Sequence, residues 1–402
     1  MMTETLPSFP MDRAADRPFD PPPRLREVET VGRVRIWNGA TPWLITGFED
    51  VRTVLADQRF SADVRKDGYP YQSASIEARR RAGGTRAFIA MDDPEHDRQR
   101  KMLTRNFMIK RVEALRPQVQ QIVDELIDAM LAGPRPVDLV TAFALPVPSL
   151  VICRLLGVPY EDHDFFQACS RKLVSRETSV EDALTATHEL RAYLLDLVVA
   201  KQKSPTEDMI GRLLTEHVAT GALSIDEVVD MSLLMLIAGH ETTANMIGLG
   251  TLALLQHPEQ LAELRETEDP KLIANAVEEL LRYLTIVHGG RRRVATADVE
   301  VGGKLIRAGE GVVLCTDAGN RDAAAFPEPD RLDIHREARH HLAFGYGVHQ
   351  CLGQPLARME LQVVYGTLYR RIPTLRLAIP FDEVRFKHDM VVYGVHSLPI
   401  TW

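Results

Sequence analysis

Apolar and polar positions recur along this chain with two periods, and the two predict different elements. Val34-Arg35-Ile36-Trp37 and Trp43-Leu44-Ile45-Thr46 alternate with period two and predict strands. Asn38-Gly39 between them is a strong hairpin turn signal. Helical spacing predicts helices over Glu49–Ala56, Arg111–Ala132, Thr141–Leu156, Glu161–Ser175 and Val180–Lys201, with Gly133-Pro134 and Gly157-Val158-Pro159 as breaks. Asp93-Pro94 predicts a further helix start, with Asp93 as the cap and Pro94 at the first position. Ser61–Arg86 is polar and poorly periodic. It predicts a long irregular loop, which is either a binding loop or plain solvated surface. Arg293–Thr296, Val299–Val301 and Val312–Leu314 read as strands, and the loosely alternating Phe386–Trp402 should return as strands near the end.

The longest pattern opens at Ser224-Ile225-Asp226-Glu227, a capping box, and can run to His257, just before Pro258. That is roughly 30 residues, or ~45 Å of helix. Met231–Ile237 is almost wholly apolar, so the helix should be buried. Yet its middle reads Ala238-Gly239-His240-Glu241-Thr242-Thr243. A mid-helix glycine costs ~1 kcal/mol relative to alanine. An acid in a buried helix costs more unless it is paired or useful. His-Glu-x-x-His zinc chemistry would need a histidine at position 244, which is Ala244.

Composition narrows the class. The chain has 402 residues, with 45% hydrophobic and 26% charged residues, as in soluble globular proteins. Its net charge of -8 argues against general nucleic-acid binding. The four cysteines, Cys153, Cys169, Cys315 and Cys351, are widely spaced and suit a reducing cytoplasm rather than a disulfide framework. Residues 1–23 are rich in proline and charge and read as an extended lead-in, without the apolar core of a signal peptide. No run approaches the ~20 apolar residues of a membrane span.

The chemistry concentrates in Phe344–Gly353, which reads FGYGVHQCLG. Glycines allow tight turns and close approach of a flat partner. A helical run with Pro355 in its first turn follows, so Cys351 should sit at a helix N-terminus, where a thiolate is favoured. A dinucleotide-binding loop would need glycine at 350, which is Gln350. Attachment of a c-type haem would need Cys-x-x-Cys-His, which is absent. His340, His341 and His349 lie close by, but no second cysteine does, against a zinc site. Two smaller pairs stand out upstream. His96 and Arg100 are four apart and share a helix face. Glu279 and Arg282 are three apart, and alone would be a surface pair of little worth.

Phe-Gly-x-Gly-x-His-x-Cys-x-Gly resembles the haem-ligand loop of the cytochrome P-450 family of haem-thiolate monooxygenases. Three further motifs resemble that family in its order along the chain: Asp-Pro-x-His-x-x-x-Arg, Ala-Gly-x-Glu-Thr-Thr and Glu-x-x-Arg. The likeness spans nearly the whole chain and is nearest to the soluble actinobacterial branch. It implies a mainly α fold with a small β-rich region, in a single domain over residues 1–402. The implied cofactor is haem b (iron protoporphyrin IX), with Cys351 as the iron ligand and Phe344 in its loop. His96, Arg100, Arg293 and His349 would contact the propionates, Arg293 standing in the run Arg291-Arg292-Arg293. Ala238 and Gly239 would make room over the haem, and Glu241 and Thr242 would relay protons. Glu279, Arg282 and Arg331 would form a structural ion network.

The resemblance implies insertion of one oxygen atom from O2 into a small lipophilic natural product or xenobiotic, by hydroxylation or epoxidation. A haem-binding sensor or carrier, or a peroxide-driven oxidase, is the alternative. The intact Glu241-Thr242 pair speaks against both. Electrons would come from a ferredoxin and its reductase, docked by Arg98, Lys101, Arg105 and Arg358. A cytoplasmic monomer without membrane anchor or nucleic-acid partner completes the expectation.

Overall fold

The computed structural model describes residues 6–82 and 87–402. The N-terminal lead-in is tied down by a bridge from Ser8 to Arg35, by the ion pairs Arg13–Asp317 and Asp20–Arg321, and by the buried Phe9, Met11 and Phe19. Strands β1 (Val31–Arg33) and β2 (Trp43–Ile45) form the expected hairpin, but three residues earlier on the first arm than the alternation suggests. Beyond Arg33 the arms stay linked: the Val34 and Ile36 N–H groups donate to the Pro42 and Ala40 carbonyls. Pro42 has no N–H to return the bond, so the regular ladder stops there. Gly39 takes the turn with φ of 83°.

Helix α1 (Phe48–Ala56) and strand β3 (Phe60–Ser61) follow. The predicted irregular loop holds a helix, α2 (Ala74–Arg81), with Ser73 accepting from the Ile76 N–H and Glu77 paired with Arg81. It escapes a periodicity test because it packs against α8 while keeping charged residues over most of its surface. Residues 83–86 of that predicted loop lie outside the described residues. Helix α3 (Glu95–Thr104) starts one residue after the predicted site, and no side chain caps it. The Asp93 carboxylate is instead engaged by His96 Nδ1 at 2.9 Å.

The predicted helix 111–132 divides into α4 (Ile109–Glu113) and α5 (Arg116–Ala132). After β4 (Val137–Asp138), a wide turn over Val140–Ala144 leads into α6 (Pro146–Leu156), which closes on Gly157 with φ of 77°. Helices α7 (His163–Val174), α8 (Val180–Lys203) and α9 (Met209–Leu213) lie where the periodicity places them or fill the gap before the long helix. That helix, α10 (Ile225–Leu255), has both halves of the capping box in place. Helices α11 (Pro258–Glu266) and α12 (Pro270–Leu284) complete the first helical run.

Strands β5 (Arg291–Ala295), β6 (Val299–Val301), β7 (Lys304–Ile306) and β8 (Gly311–Leu314) come next, then the short α13 (Thr316–Gly319). Helix α14 (Gln354–Arg371), β9 (Arg376–Leu377) and β10 (Pro399–Thr401) close the chain. Of the predicted strands in 386–402, only β10 forms a regular one, and single bridges such as Phe386 to Val395 serve the rest. A five-stranded sheet has the order β1-β2-β8-β5-β3, with β2 and β8 parallel. A three-stranded sheet has the order β4-β10-β9, and β6-β7 is a hairpin. The main core lies among α5, α6, α8, α10, α12 and α14, and a second lies between α1 and the five-stranded sheet.

α10 and α14 cross at the centre. The Tyr365 hydroxyl donates to the Met246 carbonyl at 2.5 Å, and Tyr369 meets Thr251 at 3.2 Å. No helix is long and apolar enough to cross a membrane among the described residues.

Two adjacent glutamates on α12 anchor the region beneath this crossing. Glu279 holds Arg282 through two bonds of 2.7 and 2.8 Å, both side chains fully buried. The third member of this network is Arg336, 3.2 Å from Glu279, and not Arg331. Arg331 is exposed, pairs with Glu328 at 3.5 Å, and contributes only its carbonyl to Arg282. Removing one partner of a buried pair costs about 3–5 kcal/mol, whereas an exposed pair is worth about 0–1 kcal/mol. Arg336→Ala should therefore lower the unfolding free energy by about 3 kcal/mol, and Arg331→Ala by less than about 1 kcal/mol, in a denaturant titration. Equal losses would return Arg331 to the network.

Candidate active site

The Cys351 loop is shaped by two left-handed glycines, Gly345 and Gly347, with φ of 74° and 72°. A Cβ on Gly347 would lie 2.5 Å from the Leu55 carbonyl, and one on Gly345 would crowd the Arg291 guanidinium. The Cys351 N–H donates to the Phe344 carbonyl at 2.8 Å, which closes the loop. Phe344 is buried, with the Arg358 guanidinium 4.5 Å over its ring. Helix α14 begins three residues beyond Cys351, and the Gly353 N–H points at the sulfur. The expectation that this helix end would yield a thiolate meets a stronger opposing effect. Burial pushes the Cys351 thiol pKa up, against the pull of Arg291, the Gly353 N–H, Arg100 and Arg358.

The cationic residues singled out from the sequence converge here. Arg100 donates to the Gln350 carbonyl at 2.6 Å, one residue before the cysteine. The His96 and His349 rings meet tilted at 42°, 4.0 Å between centroids. The His349 pKa is pushed down to about 3, first by burial and then by Arg293, His96, Arg100 and Arg291. Strand alternation divides the run Arg291-Arg292-Arg293. Arg291 donates to the Ala343 carbonyl and lies within electrostatic reach of Cys351 and Arg293. Arg292 points the other way, toward Cys315 and Arg176. Arg291 is thus a member of the cluster beside Arg293, and sequence alone could not choose between them.

Little negative charge answers these groups, Asp92 acting on Arg293 only from beyond ion-pair distance. Among the described residues none of Arg100, Arg291 and Arg293 makes an ion pair, and His96 Nε2 and Arg291 Nε are buried without a partner. Burial lowers the Arg291 pKa to about 10. Burying guanidinium groups without counter-charge is strongly unfavourable, so the cluster fits a ligand that brings its own carboxylates. Among the described residues no three His, Cys, Asp or Glu side chains form a metal cage. A metal at Cys351 would therefore arrive already held by another group. A haem, with iron and two propionates, fits both conditions.

Helix α10 carries the second group of residues singled out from the sequence. Ala238 is exposed and Thr242 half-exposed, in a helix otherwise buried over most of its length. A Cβ on Gly239 would lie 2.6 Å from Ile152, so α6 packs where a side chain would stand. The Thr242 hydroxyl donates to the Ala238 carbonyl at 2.8 Å. Glu241 is buried, its carboxylate 3.8 Å from His240 Nε2. His240 is fully buried, bonds the Leu236 carbonyl through Nδ1, and has its pKa lowered by burial.

Two groups escaped sequence reasoning. Glu360 on α14 is fully buried against Thr243, and burial raises its pKa to about 8, so it carries a proton at neutral pH. An acid inside the apolar run that ends Leu361-Gln362-Val363-Val364 was the signal. Glu278, beside Glu279, bonds Arg358 at 2.6 and 3.0 Å and His341 at 3.2 Å. Arg358 therefore braces the Cys351 loop from below and is not a free docking charge.

The family described as Cytochrome P450 matches residues 164–372. Cytochrome P450 GfsF from Streptomyces halstedii is 52% identical, covering 99% of this chain and 97% of that protein. Its crystal structure matches with a TM-score of 0.92 over 98% of this chain and 100% of that one. Pentalenic acid synthase from Streptomyces avermitilis is 50% identical over 98% of this chain and 97% of that protein. The mycinamicin VIII C21 methyl hydroxylase MycCI from Micromonospora griseorubida, solved with mycinamicin VIII bound, matches at 41% identity. Its TM-score is 0.92, covering 99% of this chain and 100% of that one.

The Glu278 network makes the loop acid-sensitive. Despite burial, bonds from His341 and Arg358 hold Glu278 down at about 2, against an ordinary value of 4.5. A carboxylate depressed in the folded state stabilises it fully above its unfolded pKa and loses that contribution as pH falls toward the folded one. Glu278→Gln should thus destabilise the protein by about 3 kcal/mol at neutral pH. The gap to wild type should narrow as pH falls from 4.5 toward about 2, followed by chemical denaturation at each pH. A pH-independent gap would mean that Glu278 acts by packing alone.

Proposed function

The chain belongs to the cytochrome P450 family and is a haem-thiolate monooxygenase acting on a lipophilic small molecule, and on that premise we propose how its own residues divide the work. The carrying observation is the cluster of cations around Cys351 that makes no ion pair among the described residues. Cys351 would ligate the iron of haem b. His96, Arg100, Arg291, Arg293 and His349 would hold the propionates, with charge-assisted hydrogen bonds replacing the missing counter-charge. When bound, the haem supplies the activation of O2 and transfer of one oxygen atom, with the thiolate pushing electron density toward O–O cleavage.

The protein's part is orientation and protons. Ala238 would leave α10 without bulk where O2 and substrate must fit, whereas the bare face of Gly239, expected to add room there, is filled by Ile152 of α6. The Thr242 hydroxyl, whose one O–H is donated to the Ala238 carbonyl, keeps lone pairs that can accept a hydrogen bond, and it would turn its O–H away from that carbonyl to pass a proton on. Glu241, one residue away, would resupply that proton. The substrate would be a natural product, hydroxylated or epoxidised; the Micromonospora relative is named as a hydroxylase of mycinamicin VIII. The reaction would run in the cytoplasm on a monomer, in one domain, with electrons from a ferredoxin and its reductase.

Reduced protein under carbon monoxide should show the strongly red-shifted thiolate band, and Cys351→His should abolish it while haem remains bound. Macrolides and cyclic terpenoids should then be screened for a substrate-induced shift of the haem band. A histidine-type spectrum in folded wild type would overturn the site.

The docking surface differs from a simple basic patch. Arg98 is held by Glu95 and Glu227, Lys101 by Asp97 at 2.6 Å, and Arg358 by Glu278. Arg105 is the freest, with Glu216 at 3.5 Å. Close to it in sequence, Met108 and Ile109 are 55% and 72% exposed. Ile109 heads α4, which packs on α14, and Tyr346 and Val348 of the cysteine loop are exposed as well. An apolar contact with Arg105 at its rim suits a transient partner better than charge alone. Ile109→Asp should slow reduction by ferredoxin about tenfold, since a central apolar contact is worth over about 1 kcal/mol. Arg105→Glu should reduce the salt dependence, which for exposed charges follows screening over ~8 Å. Rates indifferent to both changes and to salt would place the partner elsewhere.

A further inference from the structure

The chain from Arg385 to His396 folds back on itself as a hairpin. Phe386 bridges Val395, the Lys387 N–H donates to the Gly394 carbonyl, and the His396 N–H donates to the Arg385 carbonyl. This hairpin is seated on α10 at one point of very close approach. A Cβ on Gly394 would lie 2.0 Å from Asn245 Oδ1, so only glycine lets the Asn245 side chain in. Asn245 in turn donates to the Glu241 carbonyl at 2.7 Å. The seat thus fixes the hairpin relative to Glu241.

Between hairpin and helix lies a cavity of about 230 Å³, lined among others by Glu241, Asn245, Lys387, Arg171, Thr141 and His396. It exceeds the space of a single water many times over. Thr141, Arg171 and His396 are exposed, so the cavity reaches the surface. On α10 its lining residues are Glu241, Ala244, Asn245 and Gly248, one stripe at helical spacing. At 3.6 residues per turn that stripe is roughly 90° around the helix from Ala238 and Thr242. Glu241 therefore stands between the haem-facing stripe and an inlet from solvent.

We propose that Lys387 is a positioning residue for Glu241: its ammonium, carried into the cavity by the hairpin, orients the carboxylate at the inner end of the inlet, where the carboxylate takes a proton from inlet water, passes it to Thr242 and is left ionised for the next. Lys387 makes no ion pair or side-chain hydrogen bond among the described residues. Burial lowers its pKa, and Glu241 is the foremost charge opposing that shift. The other charged or titratable groups around the pair are Arg171 from α7, Asp389 and His396 from the hairpin, Asp138 from β4, and His240 beside Glu241. Arg171 is the one further cation lining the cavity whose removal could mimic loss of Lys387, so it is the control.

The inference rests on the reading of Glu241 as the proton donor, and the two are separable by experiment. In the haem-loaded enzyme the Glu241 carboxylate band is assigned by infrared difference against Glu241→Gln. Lys387→Met and Lys387→Gln should displace that band, because the adjacent positive charge that polarises the carboxylate is gone. Both should divert electrons to peroxide and make coupling more pH-dependent, with haem content and substrate-induced spectral shift unchanged. Lys387→Arg should restore coupling, and Arg171→Gln should leave band and coupling as in wild type. An unmoved band in both Lys387 variants, or a displacement seen in Arg171→Gln alone, overturns the role of Lys387. Unchanged coupling in Glu241→Gln overturns the donor reading itself.

Discussion

Positive charge that the fold buries without an answering negative charge is the constraint on which this site depends. A guanidinium out of water costs several kcal/mol unless a carboxylate meets it. The protein sorts its buried cations into two sets accordingly. Arg282 and Arg336 are met by Glu279, and Arg358 and His341 by Glu278. These two networks grip α12, α14 and the approach to the cysteine loop from below. Arg100, Arg291 and Arg293 are left unmatched directly above, with His96 and His349 between them. The neutralised set makes the loop rigid. The unmatched set makes it selective for a ligand with carboxylates. Neither could do its task if the glutamates were shared, and adjacency on one helix lets each face a different way.

The legibility of these features follows from how local their causes are. The capping box at Ser224, the Asn38-Gly39 turn and the Cys351 loop are fixed by residues next to one another, so sequence reads them directly. Cys351, His96, Arg100, Arg293 and His349 were found because each lies in a short pattern. Arg291 was not separable from its neighbours, because only strand alternation against a partner decides which arginines face inward. Arg336 was missed in favour of Arg331 for a similar reason. Five residues separate them, and the turn over Asp333–Arg336 decides which one reaches Glu279. Arg358 read as a free charge because Glu278, its partner, is 80 residues away in sequence. Cys351 was expected as a thiolate from its place before a helix. Burial, which no local pattern records, raises its pKa.

Helix α10 meets a related difficulty with polar groups instead of charges. A buried helix through the centre of the molecule should be apolar, yet this one carries His240, Glu241, Thr242, Thr243 and Asn245 in succession. All but Glu241 are tied down by a nearby group. Thr242 and Asn245 donate to carbonyls one turn back, His240 bonds the Leu236 carbonyl, and Thr243 meets Glu360. Side-chain bonds of this kind satisfy the polar atoms without a partner helix, at the cost of loosening the local backbone ladder. That loosening is placed where α10 must be both wall and conduit. One stripe, with Ala238 and Thr242, is kept small and is the one proposed to face the haem. The next, with Glu241 and Asn245, is kept polar and faces solvent through the seat of the C-terminal hairpin. Glu241 is the only carboxylate on either stripe, and it lies where they meet. A proton entering from the surface and a substrate held over the haem are thus served by the same turn of helix, from sides that do not compete for space.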